Sequence, residues 1–163
     1  MSRLSDYIVV EFPFTETDIG ATNTSGSNDA LHWTSMENFD KLLCMVELGT
    51  WNAADDLDTC KLEQATSSAG AGKKDLTTSA SGGNYDTDYP VDADGDRVFL
   101  EVSAEDLDVD GGFKYVRVYC AEGGNTGVDN VSAVYVKTGA RFAYTNLPVA
   151  AASGSKVYVT TGS

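Results

Sequence analysis

The sequence predicts an all-β chain, a single-domain β-sandwich or jelly-roll-like barrel with one short helical turn near residues 103–107. Three observations carry this. Apolar residues alternate with other types in short runs, as in VFLEV at 98–102 and VSAVYV at 131–136, and side chains of a strand point to opposite faces in turn. The runs are separated by stretches rich in Gly, Ser, Thr, Asn and Asp, the residues that build turns, with 16 glycines among 163 residues. About eight to ten such runs follow one another at short spacing, the pattern of two packed sheets. A chain of this length forms about one domain and buries roughly 70% of its unfolded surface without metal or disulfide staples.

Residues 1–28 form an N-terminal arm or strand with a polar loop, and 29–163 form the sandwich. In the first part, Tyr7 to Phe12 (YIVVEF) is a β-prone run that stops at Pro13. As an arm it would add a strand to a neighbour's sheet; otherwise it is the first strand of the domain's own sheet. Thr15 to Asn28 is polar and reads as a loop.

The turn Met36–Asp40 precedes Lys41–Thr50 (KLLCMVELGT). There Leu42 to Val46 is apolar without alternation, which predicts a strand covered on both sides, with a buried helix as the alternative. Thr59 to Thr66 alternates, placing Cys60, Leu62 and Gln64 opposite Thr59, Lys61 and Glu63. The link Ser67–Lys74 contains GAGKK but lacks the G-x-x-x-x-G-K-[ST] spacing of a phosphate-binding loop.

Arg97 to Cys120 reads as a hairpin at the centre of a sheet. Its first arm sets Val98, Leu100 and Val102 against Phe99 and Glu101, and its second sets Val116, Val118 and Cys120 against Tyr115, Arg117 and Tyr119. Ser103 stands three residues before Asp106, a capping arrangement for a helical turn over Ala104–Leu107. Leu107 is its one large apolar residue and is expected to plug the end of the sheet, with Gly111-Gly112 giving freedom for re-entry into a strand. Val131–Lys137, Arg141–Tyr144 and Lys156–Thr160 complete the predicted strands.

The formal charge of -14 argues against nucleic acid, which requires a basic footprint. Asp86 to Asp110 holds ten acids against Arg97 alone, whereas Val131 to Ser163 has none and carries Lys137, Arg141 and Lys156. These three, with Tyr7, Ile8, Val9 and Val10 of the arm, are the candidate contacts to a partner or to a neighbouring copy. Cys44, Cys60 and Cys120 are too far apart in sequence for a zinc motif and are expected as buried free thiols. No run is long enough to span a membrane, and the N-terminus lacks the apolar core of a signal peptide, so synthesis in a reducing cytoplasm is expected.

No catalytic set emerges, and no enzyme activity or cofactor is expected. His32 is the only histidine, so a nucleophile–histidine arrangement would depend on it alone; a structural role is favoured. Asp92, Asp94 and Asp96 make a weak calcium candidate: counting from Asp92, Gly95 falls at the fourth place rather than the sixth, and the twelfth is Ser103 rather than Glu. An acidic turn is the simpler reading. Trp33, Trp51, Tyr85, Tyr89 and Tyr144 lie near predicted loops, and the alternative function they suggest is a carbohydrate-binding sandwich with a stacking platform.

Four segments in order, Asn38-Phe39-Asp40, then QATSSAGAGK at 64–73, VSAEDLDV at 102–109 and GFKYVR at 112–117, resemble small proteins encoded beside the major capsid protein in tailed bacteriophages. The resemblance covers roughly Met36 to Ala143. It implies a head decoration, or cement, protein: a structural virion protein on the capsid exterior, made in the host cytoplasm, with the major capsid protein as partner and a homotrimer as its own assembly. A tail or head-completion component is the related alternative. The segments Asp18–Asn28 and Asp86–Asp96 depart from the pattern, and no functional residue carries over.

Overall fold

A computed structural model describes residues 8–19, 32–52, 57, 59–76, 93–121 and 128–140. It is built from two antiparallel four-stranded sheets facing one another, as the alternation predicts. The strands are β1 (Val9–Asp18), β2 (Thr34–Ser35), β3 (Lys41–Leu48), β4 (Thr59–Ala65), β5 (Lys74–Asp75), β6 (Arg97–Ser103), β7 (Tyr115–Ala121) and β8 (Asn130–Thr138). The front sheet runs β1-β8-β3-β6 and the back sheet β2-β7-β4-β5. Predicted strands at Arg141–Tyr144 and Lys156–Thr160 lie outside the described residues.

The core forms where the inward faces meet. Leu42, Cys44, Val46, Leu100, Val102 and Ala133 of the front sheet pack toward Cys60, Leu62, Val116, Val118 and Cys120 of the back sheet, all buried. Met36, Phe39 and Leu107 are also buried and belong to this cluster, so Leu107 does serve as an apolar plug. The helical turn is a single 3-10 turn, Ala104–Asp106, and Asp106 accepts the Ser103 N–H at 2.9 Å. Gly112 follows with φ +80°, a conformation that a side chain would strain.

Three expectations are corrected. The arms of the central hairpin do not pair: β6 lies at the edge of the front sheet beside β3, and β7 lies inside the back sheet between β2 and β4. Residues 104–114 are too many for a tight hairpin loop and long enough to cross the ~10 Å between stacked sheets. The two aliphatic faces therefore meet across the core instead of lying side by side.

Second, β1 does not stop at Pro13. It continues to Asp18 as the outermost strand of the domain's own front sheet, paired with β8, so the sandwich begins before residue 29. Register shifts on both sides of Phe14 mark bulges, and an edge strand with bulges tolerates a proline that a central strand would reject.

Third, the unbroken apolar run Leu42–Val46 is neither helical nor covered on both sides. Leu42, Cys44, Val46 and Leu48 are buried, while Leu43 is exposed and Met45 half-buried.

Candidate contact surface

The outer face of the front sheet is built by the residues that alternate with the core. In β3 these are Leu43 and Met45, in β8 Val134 and Val136, in β1 Val10, and in β6 Phe99. Strand register arranges them in rows across the sheet. One row runs Val10–Val136–Leu43, and the next runs Val134–Met45–Phe99. Cross-strand neighbours on one face are in contact range, so the rows form a continuous apolar strip. Phe99 is 61% exposed, Val10 51% and Leu43 38%.

Ion pairs flank the strip. Arg97 Nε donates to Glu47 at 2.7 Å, and Lys41 Nζ lies 3.4 Å from Glu101. These four charges sum to zero. An exposed apolar patch framed by polar groups is the physical signature of a contact surface.

The opposite face, on the back sheet, is closed. Arg117 points away from the core and is nevertheless fully buried. Its guanidinium meets Glu63 at 2.7 Å and stacks 4.8 Å from the Trp33 ring centre. Trp33 in turn rests on Gly70, where a Cβ would come within 2.7 Å of the indole nitrogen. The GAGKK link is thus the β4–β5 turn, and its glycine makes room for a ring. Lys61 extends the network to Asp75 at 2.6 Å; burial lowers its pKa, and the Asp75 and Glu63 carboxylates more than offset that, leaving it raised.

The candidate contacts from the sequence divide. Val10 lies on the exposed strip and Ile8 is half-buried, whereas Val9 points into the core. Lys137 is only 4% exposed: its ammonium donates to Glu11 at 2.6 Å, to Thr34 Oγ1 at 2.8 Å and to the Ser35 carbonyl at 3.4 Å, and lies 4.7 Å from the Phe39 ring centre. It holds β8 to β1 and β2 and is not available to a partner. Tyr7, Arg141 and Lys156 lie outside the described residues.

The chemical candidates have structural roles. His32 places Nδ1 2.9 Å from the Pro13 carbonyl and sits edge-on to Phe14; burial lowers its pKa, against the Pro13 hydrogen bond. Asp94 accepts the Trp51 N–H at 2.7 Å and Asp96 the Ala93 N–H at 3.3 Å, which makes the segment an acidic turn; Asp92 lies outside the described residues. Among the described residues no group of three or more metal-ligating side chains converges.

Cys60 and Cys120 face one another with sulfurs 3.7 Å apart, and their hydrogen bond together with burial pushes the Cys60 thiol well up. Burial does the same to Cys44. Thiolate chemistry is correspondingly suppressed at neutral pH. Trp51 is buried in the core and offers no face to a sugar, while Tyr85, Tyr89 and Tyr144 lie outside the described residues. A hollow of about 270 Å³ beside the 3-10 turn is lined by Met36, Leu107, Val109 and Phe113, with the Lys114–Glu37 ion pair at 3.3 Å among its walls.

The exposed strip is the feature that sequence reasoning missed, although its signal was present. The unbroken apolar run of β3 called for cover on both sides, and the described chain supplies it on one. No described helix is long and apolar enough to cross a membrane. Compared with known proteins, the chain matches no family model, no curated protein and no solved structure.

Proposed function

We propose that this protein is a structural, non-catalytic virion component that decorates the outside of a phage head and braces neighbouring capsomers. The observation that carries the reading is the apolar strip across all four strands of the front sheet, exposed at Val10, Leu43 and Phe99, half-buried at Met45, Val134 and Val136, and flanked by two balanced ion pairs. A cement protein works by surface burial: each Å² of apolar area removed from water contributes roughly 25 cal/mol toward attachment. The ordered segments between Met36 and Ala143 support the same reading, with the major capsid protein as partner. The described carboxylates and thiols are engaged in turns, ion pairs and the core, which favours a binding role over a catalytic one.

The test is to add purified chain to expanded heads assembled from the capsid protein encoded beside it. The expected result is saturable binding to tailless heads and raised thermal stability of the shell. Intact particles that lack the protein, or that carry it only in the tail, would overturn the reading.

A further inference from the structure

Among the described residues β6 forms a long edge of the front sheet that carries no further strand, and its side chains fit a second copy of this chain. β6 is the outermost strand beside β3, with no strand on its other side among the described residues. It is seven residues long, has no proline and pairs with β3 without a register shift. The other outermost strands are poor templates: β1 contains Pro13 and two register shifts, and β2 and β5 are two residues each. Natural proteins blunt edges by those devices and by charged side chains; the charges of β6, Arg97 and Glu101, are of opposite sign and so do not by themselves repel a second copy.

The side chains of β6 fit their own copy in one antiparallel register. With a two-fold axis through Phe99, Arg97 falls opposite Glu101 of the second copy, Glu101 opposite its Arg97, and Phe99 opposite Phe99. Both charges are outward-facing, and each already has an in-chain partner of opposite sign, Glu47 for Arg97 and Lys41 for Glu101. Joining the edges forms rows Glu47–Arg97–Glu101–Leu43 on either side of a central row Met45–Phe99–Phe99–Met45, with Lys41 meeting Glu101 diagonally from the neighbouring rung. Opposite charges and rings directly across a strand pair are the stabilising combinations.

We propose that two copies join through β6 in this register to form a continuous eight-stranded sheet with one shared apolar face. The contact is isologous and closes at two copies. It is independent of attachment to a capsid and differs from the homotrimer expected from shell symmetry.

Sedimentation and native mass of the full chain test it. The expected wild-type species is a dimer. The variants Arg97→Glu and Glu101→Arg each set two like-charged pairs across the axis and are expected to weaken association about tenfold or more. Mixing the two variants restores opposite charges at both crossings, so the mixture is expected to form a one-to-one heterodimer. Phe99→Glu, which places two carboxylates at the axis, is expected to be monomeric with unchanged circular dichroism. A wild-type monomer at high concentration, a trimer, or single variants that pair as well as the wild type would each overturn the register. Head binding by the weakly associating Arg97→Glu variant, which leaves every apolar residue of the strip in place, would separate this inference from the proposed attachment.

Discussion

The two outer faces of the sandwich reverse the distribution that water would select. On the back sheet a guanidinium and a carboxylate, Arg117 and Glu63, are buried at 0% and 7% exposure, with Trp33 stacked on the guanidinium. On the front sheet Phe99, Leu43 and Val10 stand in solvent, and the ion pairs Arg97–Glu47 and Lys41–Glu101 are exposed beside them. The chain spends a tryptophan and a glycine turn on covering charge while it leaves an apolar strip bare. That contrast separates a face covered by its own chain from one that leaves apolar side chains in solvent.

The largest effect is expected on the closed face. Arg117→Met removes the buried partner of Glu63 and leaves that carboxylate, in a poorly solvated site, with only Lys61 at 3.6 Å, which costs at the lower end of about 3–5 kcal/mol of folding stability in urea denaturation. The double variant Arg117→Met/Glu63→Leu is expected to recover most of that loss, because no lone charge remains. Arg97→Met, the equivalent change on the open face, is expected to shift the monomer by less than about 1 kcal/mol. Similar losses at both positions would erase the distinction between the faces.

A smaller effect is expected in the interior. The register pairing Thr34 with Val116 and Ser35 with Tyr115 sets Val118 opposite His32, where β2 has already ended. Tyr135 reaches across from the front sheet into that gap. Its hydroxyl accepts the Val118 N–H at 2.7 Å and donates to the His32 carbonyl at 3.3 Å, replacing the missing rung between β2 and β7. Tyr135→Phe strands the Val118 N–H in the core and is expected to cost about 1–3 kcal/mol. An unchanged denaturation midpoint would show that the hydroxyl is not the tie between the sheets.

Much of this was legible beforehand. Period-two alternation predicted the inward faces of β6, with Val98, Leu100 and Val102, and of β7, with Val116, Val118 and Cys120. The capping pair Ser103 and Asp106 located the 3-10 turn. Sheet membership was not legible, because a connection of 11 residues between two alternating runs serves a crossover as well as a hairpin. Nor was the burial of Arg117 and Lys137, since alternation assigns a residue to a face without saying what covers it. In β8 the inward positions hold Tyr135 and Lys137 and the outward ones Val134 and Val136, the reverse of a simple apolar-in rule; the long side chains reach polar partners across the sandwich. The apolar continuity of Leu42–Val46 predicts two-sided cover, whereas Leu43 is exposed and Met45 half-buried.

The most direct measurement is amide hydrogen exchange along Arg97–Ser103 at low and high protein concentration, with β4 as the internal reference. If the front sheet is completed by another copy, the β6 amides that face away from β3 gain protection as concentration rises while β4 is unchanged. Rapid exchange of those amides at every concentration, with the wild-type chain remaining monomeric, would contradict the account.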